Sequence, residues 1–161
     1  MDTRFPELSE LYRDIVLDHY RSPRGNKELH DCDVRNEGFN PLCGDSASLA
    51  LKLQNGNVAD VAVQCRGCSI SVASGSMLAE LLKDRSVEEV EKLMAAFKGM
   101  MHGEAIPEGL DIGDLDALEG VRKFPVRVKC ALLAWITLAD ALKAWKAGGS
   151  RPEAASTTEE E

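Results

Sequence analysis

Positive charge is scarce in this sequence, and so are aromatic side chains. Its 161 residues include 19 Lys and Arg against 27 Asp and Glu, a formal charge of −8, and Phe, Trp and Tyr together make up 5%. Nucleic acids and anionic membranes attract cationic proteins, and single-stranded nucleic acids are bound by stacking on aromatic rings. Neither nucleic acid nor a membrane surface is therefore an expected partner.

Long hydrophobic runs are lacking as well. No stretch approaches the roughly 18 to 20 apolar residues of a membrane-spanning helix, and the N-terminal sequence MDTRFPELSELYRD is charged where a secretion signal would be apolar. We therefore expect a cytoplasmic protein. Its 44% hydrophobic content is sufficient for the core of one domain of this length.

The cysteines do not fit a disulfide framework, because their number is odd and no secretion signal is visible. In a reducing compartment such thiols bind metals, react, or fill the core. The five are Cys32, Cys43, Cys65, Cys68 and Cys130.

Hydrophobic periodicity predicts an α+β domain with about five helices around a small antiparallel sheet. The sheet is expected to consist of a hairpin plus an edge strand near Val34. Asn55-Gly56 separates two alternating apolar runs, which is the strongest short-range signal for a hairpin. Ser86 and Glu89 form a capping box at the start of one helix. The predicted helices cover about 6–20, 69–83, a segment from 86, 114–119 and a segment from 125.

The domain is expected to span residues 1–146. Residues 147–161 contain no Val, Ile, Leu or Phe and carry one Arg and four Glu. Such a segment cannot bury apolar surface, so it is predicted to be a disordered acidic tail.

Cys43-Gly44-Asp45 lies just ahead of the first hairpin strand. Residues i and i+2 of an extended chain point the same way, so the thiolate and the carboxylate can share one ion, either zinc or ferrous iron. A turn with a buried cysteine and a capping aspartate explains the tripeptide equally well.

Cys68 directly precedes a predicted helix rich in small residues. The helix dipole and free N–H groups there lower a thiol pKa and favour the thiolate, which is both nucleophile and metal ligand. A small residue filling a strand-to-helix corner is the alternative. Cys65 is in phase with the core face of the strand, which favours packing over a redox Cys-x-x-Cys pair. Cys130 is near the start of the last helix, with Arg127 beside it.

Four segments in register resemble the U-type iron–sulfur cluster assembly proteins, and they span nearly all of residues 8–145. The matching motifs are Leu11-Tyr12 through Leu17-Asp18-His19-Tyr20 with Ser22-Pro23-Arg24, Asn40-Pro41-Leu42-Cys43-Gly44-Asp45, Gly67-Cys68-Ser69-Ile70-Ser71, and Phe124-Pro125-Val126-Arg127-Val128-Lys129-Cys130.

Two features resemble the SufU branch of this family rather than the IscU scaffolds. Scaffold proteins usually carry a histidine immediately before the last cysteine, where this chain has Lys129, and an extra stretch at 113–121 resembles the SufU insertion. Cys65 departs from the family pattern, because that position is usually not cysteine. The branch resembles zinc-dependent sulfurtransferases.

The resemblance implies that Cys43, Asp45, Cys68 and Cys130 hold one Zn²⁺ and that Cys43 accepts sulfur. The implied donor is a pyridoxal-phosphate-dependent, SufS-like cysteine desulfurase, and the implied recipient is a downstream iron–sulfur scaffold complex. Arg127 is a candidate contact for the partner or for anionic sulfur; alternatively, it is a solvated charge at the start of the helix. His19 is expected to be structural.

The alternative function is that of a scaffold on which iron or a transient [2Fe–2S] cluster is assembled on the same ligands. A third possible function is that of a zinc-stabilised interaction module.

Overall fold

A computed structural model describes residues 10–158, which form five helices and one four-stranded sheet. The helices are α1 (Glu10–Arg21), α2 (Ser69–Leu82), α3 (Val87–Met101), a 3-10 helix (Gly113–Lys123) and α4 (Pro125–Lys146). The strands are β1 (Val34–Asn40), β2 (Asp45–Gln54), β3 (Asn57–Arg66) and β4 (Ser156–Thr157). The predicted α+β fold class is confirmed. The predicted start of the first helix at Pro6 lies outside the described residues.

The sheet has the strand order β3-β2-β1-β4. β2 and β3 form the predicted hairpin, and Asn55 and Gly56 at its tip have φ values of 54° and 79°. These left-handed conformations are those that Asn and Gly adopt most easily, which explains the choice of residues. β1 pairs antiparallel with β2, so that Asn40 lies opposite Asp45.

α2 and α4 cover the inner face of the sheet and position the residues discussed below. Nearly every residue of α2 is buried, in agreement with the close packing that its small side chains predict. The capping box at the start of α3 is present, with the Ser86 hydroxyl accepting from Glu89 N–H and the Glu89 carboxylate accepting from Ser86 N–H. None of the helices formed by residues 10–158 has an apolar stretch long enough to cross a membrane.

The segment after α4 departs from the prediction of a disordered tail. β4 pairs parallel with β1, with Ser156 opposite Gly38, so the sheet is mixed and β1 is no longer its edge. The buried Asn36 side chain donates to the Ser156 hydroxyl (2.8 Å), which in turn donates to Asp140 (2.6 Å). The prediction of disorder is therefore wrong for residues 156–158, because backbone pairing and hydroxyl hydrogen bonds hold this segment without apolar side chains. Residues 159–161 lie outside the described part.

Candidate metal centre

Three segments converge at one end of the sheet. The turn from β1 to β2 carries Cys43, the end of β3 leads through Gly67 to Cys68 at the start of α2, and the second turn of α4 carries Cys130. The strand register places Asn40 opposite Asp45. The helix starts and the strand ends therefore bring together residues up to 87 positions apart.

The sulfurs of Cys43 and Cys130 lie 3.4 Å apart. A carboxylate oxygen of Asp45 and these two sulfurs all lie within 4.8 Å of one another. Two thiolates on one tetrahedral zinc ion, at about 2.3 Å from it, would be separated by about 3.8 Å. The spacing therefore suits a shared ion after a shift of a few tenths of an ångström. Cys43 is exposed, whereas Asp45 and Cys130 are buried, so the group opens to solvent on the Cys43 side.

Cys68 lies beside this group of three without belonging to it. Its backbone N–H donates to Asp45 Oδ1 at 3.1 Å, and its thiol interacts with Cys130. The Cys130 hydrogen bond, followed by contacts from the backbone and hydroxyl of Ser71, lowers the pKa of Cys68 to about 6, although burial opposes this. The predicted thiolate at the start of the helix thus has a physical basis, and the largest contribution comes from Cys130.

Cys130 is affected in the opposite sense. Its hydrogen bond to Cys68 and its burial raise its pKa, because a negative charge on one sulfur makes it costly to remove the proton of the other. Loss of a proton is therefore favoured at Cys68 and disfavoured at Cys130. A cation placed between them would favour loss of the second proton.

Asp45 is 2% exposed and its carboxylate accepts several hydrogen bonds. The Ser71 hydroxyl donates to Oδ2 at 2.6 Å. Burial alone raises the pKa of Asp45, but the hydrogen bonds from Ser71 and from the thiol and N–H of Cys68 outweigh burial, so the pKa is lowered. Asp45 is therefore a carboxylate held in one orientation.

Asn40 contacts two of the thiols and was given no role by the sequence. Its Nδ2 lies 3.6 Å from Cys43 Sγ and 3.7 Å from Cys130 Sγ. In β1 every second residue is buried, and Asn36 and Asn40 are among these buried residues. Apolar residues are expected at such positions, so two asparagines in phase with Val34 were the available signal in the sequence. The role of Ser71 was not predicted either, because α2 contains several small residues and nothing in the sequence distinguishes Ser71 from the others.

Arg127 lies next to the thiols, as its candidate role requires. Its guanidinium interacts with both Cys68 and Cys130. Burial lowers the pKa of Arg127, but electrostatic interactions and hydrogen bonds with Cys68 and Cys130 together raise it by more. Lys129, the residue in place of the scaffold histidine, donates instead to the backbone oxygen of Thr158 at 2.9 Å.

The remaining cysteines lie outside the group. Cys65 Sγ faces Gly75, where a Cβ would clash with it, and burial, with a smaller effect from the charges of Asp45 and Cys68, raises the pKa of Cys65 to about 12. Cys32 accepts two hydrogen bonds from Arg35, at 3.1 and 3.3 Å.

His19 belongs to a second group of ligand-type residues, with Glu80 and Asp114. Both of its ring nitrogens are already hydrogen-bonded, Nδ1 with the Ser76 hydroxyl (2.6 Å) and Nε2 with Asp114 (2.8 Å). Arg24 lies 3.4 Å from Glu80 and supplies the positive charge there. This arrangement ties α1 to α2 and the 3-10 helix, in agreement with the structural role expected for His19.

The chain is similar in sequence to proteins of known families. The sequence profile of the NifU-like N-terminal domain matches residues 11–131. The zinc-dependent sulfurtransferase SufU of Bacillus subtilis is 41% identical over 81% of this chain and 88% of its own length. The iron–sulfur cluster assembly scaffold protein IscU of Streptococcus pyogenes is 36% identical over 85% of this chain and 86% of its own.

A solved structure shares the fold. A candidate iron–sulfur cluster assembly scaffold protein for the SUF system from Fervidobacterium islandicum superposes with a TM-score of 0.76 and 29% identity, over 80% of this chain and 94% of that one.

Proposed function

Because the chain belongs to the family of NifU-like N-terminal domains, we propose that it is a zinc-dependent sulfur acceptor in iron–sulfur cluster biogenesis. It takes persulfide sulfur from a cysteine desulfurase, as the similarity to the Bacillus sulfurtransferase suggests. The observation that carries the proposal is the meeting of an exposed thiol, Cys43, with the buried Asp45 and Cys130 within 4.8 Å.

The donor atoms fit a zinc ion. Cys43, Asp45, Cys68 and Cys130 would hold it, three sulfurs and one oxygen being a ligand set that zinc accepts. Zinc would stabilise the thiolates and, having no redox chemistry, would protect them between reactions. The chain itself supplies part of the frame, since hydrogen bonds from the Cys68 N–H and the Ser71 hydroxyl already orient Asp45.

Cys43 is the sulfur acceptor, because it is the exposed member of the set. Its thiolate attacks the outer sulfur of the persulfide on the desulfurase cysteine, forming a new S–S bond at Cys43. The S–S bond within the donor persulfide breaks, and its electron pair stays on the desulfurase cysteine, which then takes a proton from solvent. No external oxidant or reductant is consumed.

Arg127 contacts the anionic sulfur or the partner protein. A guanidinium beside Cys68 and Cys130 offsets the negative charge that accumulates when several sulfurs are deprotonated. The donor in this proposal is a pyridoxal-phosphate-dependent desulfurase of the SufS type, and the sulfur passes on to a downstream scaffold complex.

A second candidate function is that of a scaffold for a transient [2Fe–2S] cluster. It is supported by the 36% identity to a Streptococcus scaffold protein, and the same thiolates and carboxylate suit iron. Lys129 favours the sulfur acceptor over the scaffold, because its side chain is engaged by Thr158 and an ammonium group is not a metal ligand.

The test is mass spectrometry of the zinc-loaded protein after incubation with a SufS-type desulfurase, pyridoxal phosphate and cysteine. We expect one added sulfur, lost on reduction and mapped to Cys43, together with faster cysteine turnover. Cys43→Ala should abolish both effects, whereas the matched control Cys32→Ala, which removes a thiol that accepts hydrogen bonds from Arg35 and lies outside the candidate metal centre, should retain them. Sulfur accepted at full rate by Cys43→Ala would refute the mechanism. Preferential formation of a stable, transferable cluster on anaerobic reconstitution would favour the scaffold.

A further inference from the structure

We infer that Asn40 is a positioning residue for the thiolates, with its side-chain amide donating one N–H to Cys43 and the other to Cys130. The inference deepens the proposed function and rests on its metal site. It concerns a residue that contributes no ligand atom itself.

The orientation of the amide is fixed by its surroundings. Asn40 is fully buried, and its Oδ1 accepts the N–H of Leu42 at 3.1 Å. Nδ2 must therefore face the other way, where it lies 3.6 Å from Cys43 Sγ and 3.7 Å from Cys130 Sγ. Sulfur is larger than oxygen and a weaker acceptor, so these are ordinary separations for N–H···S contacts.

The backbone of Asn40 holds the same loop. Its carbonyl accepts the N–H of Cys43 at 3.3 Å and that of Gly44 at 2.8 Å. A single residue at the end of β1 therefore shapes the turn with its two oxygens and orients two sulfurs with its nitrogen. Asn40 is paired with Asp45 in the β1–β2 ladder. The sheet therefore fixes the position of Asn40, and Asn40 in turn holds the loop.

The asparagine side chain combines the acceptor for Leu42 with the two N–H donors that face the sulfurs. Aspartate keeps the acceptor for Leu42 but lacks both donors and adds a negative charge next to the thiolates. Leucine has a similar branched shape and lacks all of the side-chain polar contacts. N–H groups directed at thiolates withdraw electron density from sulfur and fix its direction, and removing such outer contacts typically lowers metal affinity about 10- to 100-fold.

Asn36 provides a matched control on the same strand. It is also buried, at 2% exposure, and its Nδ2 donates to the Thr137 carbonyl and the Ser156 hydroxyl. It therefore has the same inward phase and comparable burial, but its partners are oxygens. Substitutions at position 36 reproduce the cost of disturbing a buried amide without changing any contact to sulfur in the described structure.

The experiment loads Co²⁺ into wild-type protein and into Asn40→Asp, Asn40→Leu, Asn36→Asp and Asn36→Leu, and records the thiolate-to-cobalt charge-transfer band. Sulfur that loses N–H donors gives up an electron more easily, so both Asn40 variants should shift the band to lower energy. Zinc affinity, measured by chelator competition, should fall about 10- to 100-fold in Asn40→Leu. Both Asn36 variants should keep the wild-type band and affinity while melting at lower temperature.

An unchanged or higher-energy band in both Asn40 variants, or an equal shift in the Asn36 variants, would overturn the inference. These readouts require no desulfurase, so they are separate from the test of the proposed function. Wild-type protein with a thiolate–cobalt band that accepts no sulfur would refute the sulfur acceptor and leave the role of Asn40 standing.

Discussion

Gly67 lies so close to Asp45 that a Cβ on the glycine would be well under 3.0 Å from the Asp45 carboxylate. Gly67 also has a φ of +131°, a conformation that other residues rarely adopt. The glycine before Cys68 thus leaves room for the buried carboxylate while the chain turns from β3 into α2.

Gly67→Ala is expected to displace Asp45 and weaken metal binding. We predict a loss of zinc affinity of about tenfold or more, measured by chelator competition, together with about 1–3 kcal/mol of lost stability from backbone strain. Gly56→Ala is the control, since Gly56 also has a positive φ (79°) but no neighbouring atom within 4 Å of its Cβ position. If both variants bind zinc like the wild type, the carboxylate does not depend on the space at Gly67.

Ser71→Ala is expected to weaken zinc binding without unfolding α2. The variant loses the hydroxyl that donates to Asp45 at 2.6 Å, so the carboxylate is less firmly oriented and its pKa rises. We expect a loss of affinity of roughly 10- to 100-fold. Ser74→Ala, one turn along, removes bonds to the Ala131 carbonyl and from Trp135; it should lower the melting temperature and leave zinc affinity unchanged. The reverse pattern would contradict the role of Ser71.

Cys65 is expected to resist alkylation in the folded, metal-free protein. Burial raises its pKa to about 12, so at a pH of about 8 only about one molecule in ten thousand carries the reactive thiolate. Iodoacetamide labelling followed by peptide mass spectrometry should show Cys65 modified far more slowly than after unfolding in urea. Equal rates in the folded and unfolded states would show that the fold neither shields the thiol nor raises its pKa as described.

Acid should weaken the contact between Asp60 and Lys27. The hydrogen bond from Lys27, 2.6 Å long, followed by that from the Val61 N–H, lowers the pKa of Asp60 below its ordinary 3.8. A lowered folded-state pKa stabilises the fold above the unfolded-state pKa, and this stabilisation is lost as the pH falls through the folded-state value, because the unfolded chain binds the proton first. Urea unfolding between neutral pH and the range below 3.8 should therefore show a smaller acid-dependent loss in Asp60→Asn than in the wild type. Identical acid slopes would show that this pair contributes nothing.

The sequence predicted the hairpin and the start of α3 correctly, because the patterns that specify them are local. Asn55-Gly56 and the capping box of Ser86 and Glu89 each determine a structure within a few residues. The segment 156–158 was mispredicted because a strand pairing of two residues depends on the distant Gly38 and Asn36, which no local pattern reveals.

For the candidate centre, the sequence supplied the ligand-type residues, and the structure placed Cys43, Asp45 and Cys130 together with Cys68 beside them. Asn40 and Ser71 could not be predicted in the same way. A buried amide or hydroxyl acquires its role from what faces it in space, and residue type alone does not show which partner that is.

The order in which the chain is synthesised has a consequence for the thiol pair at 3.4 Å. Cys43 leaves the ribosome long before Cys130, which lies in the last long helix. A nascent chain therefore exposes Cys43 before its partner Cys130 exists, and the pair can form only after translation has passed α4 and that helix has docked. The group of Cys43, Asp45 and Cys130 is thus assembled late in synthesis and not while the sheet is first formed.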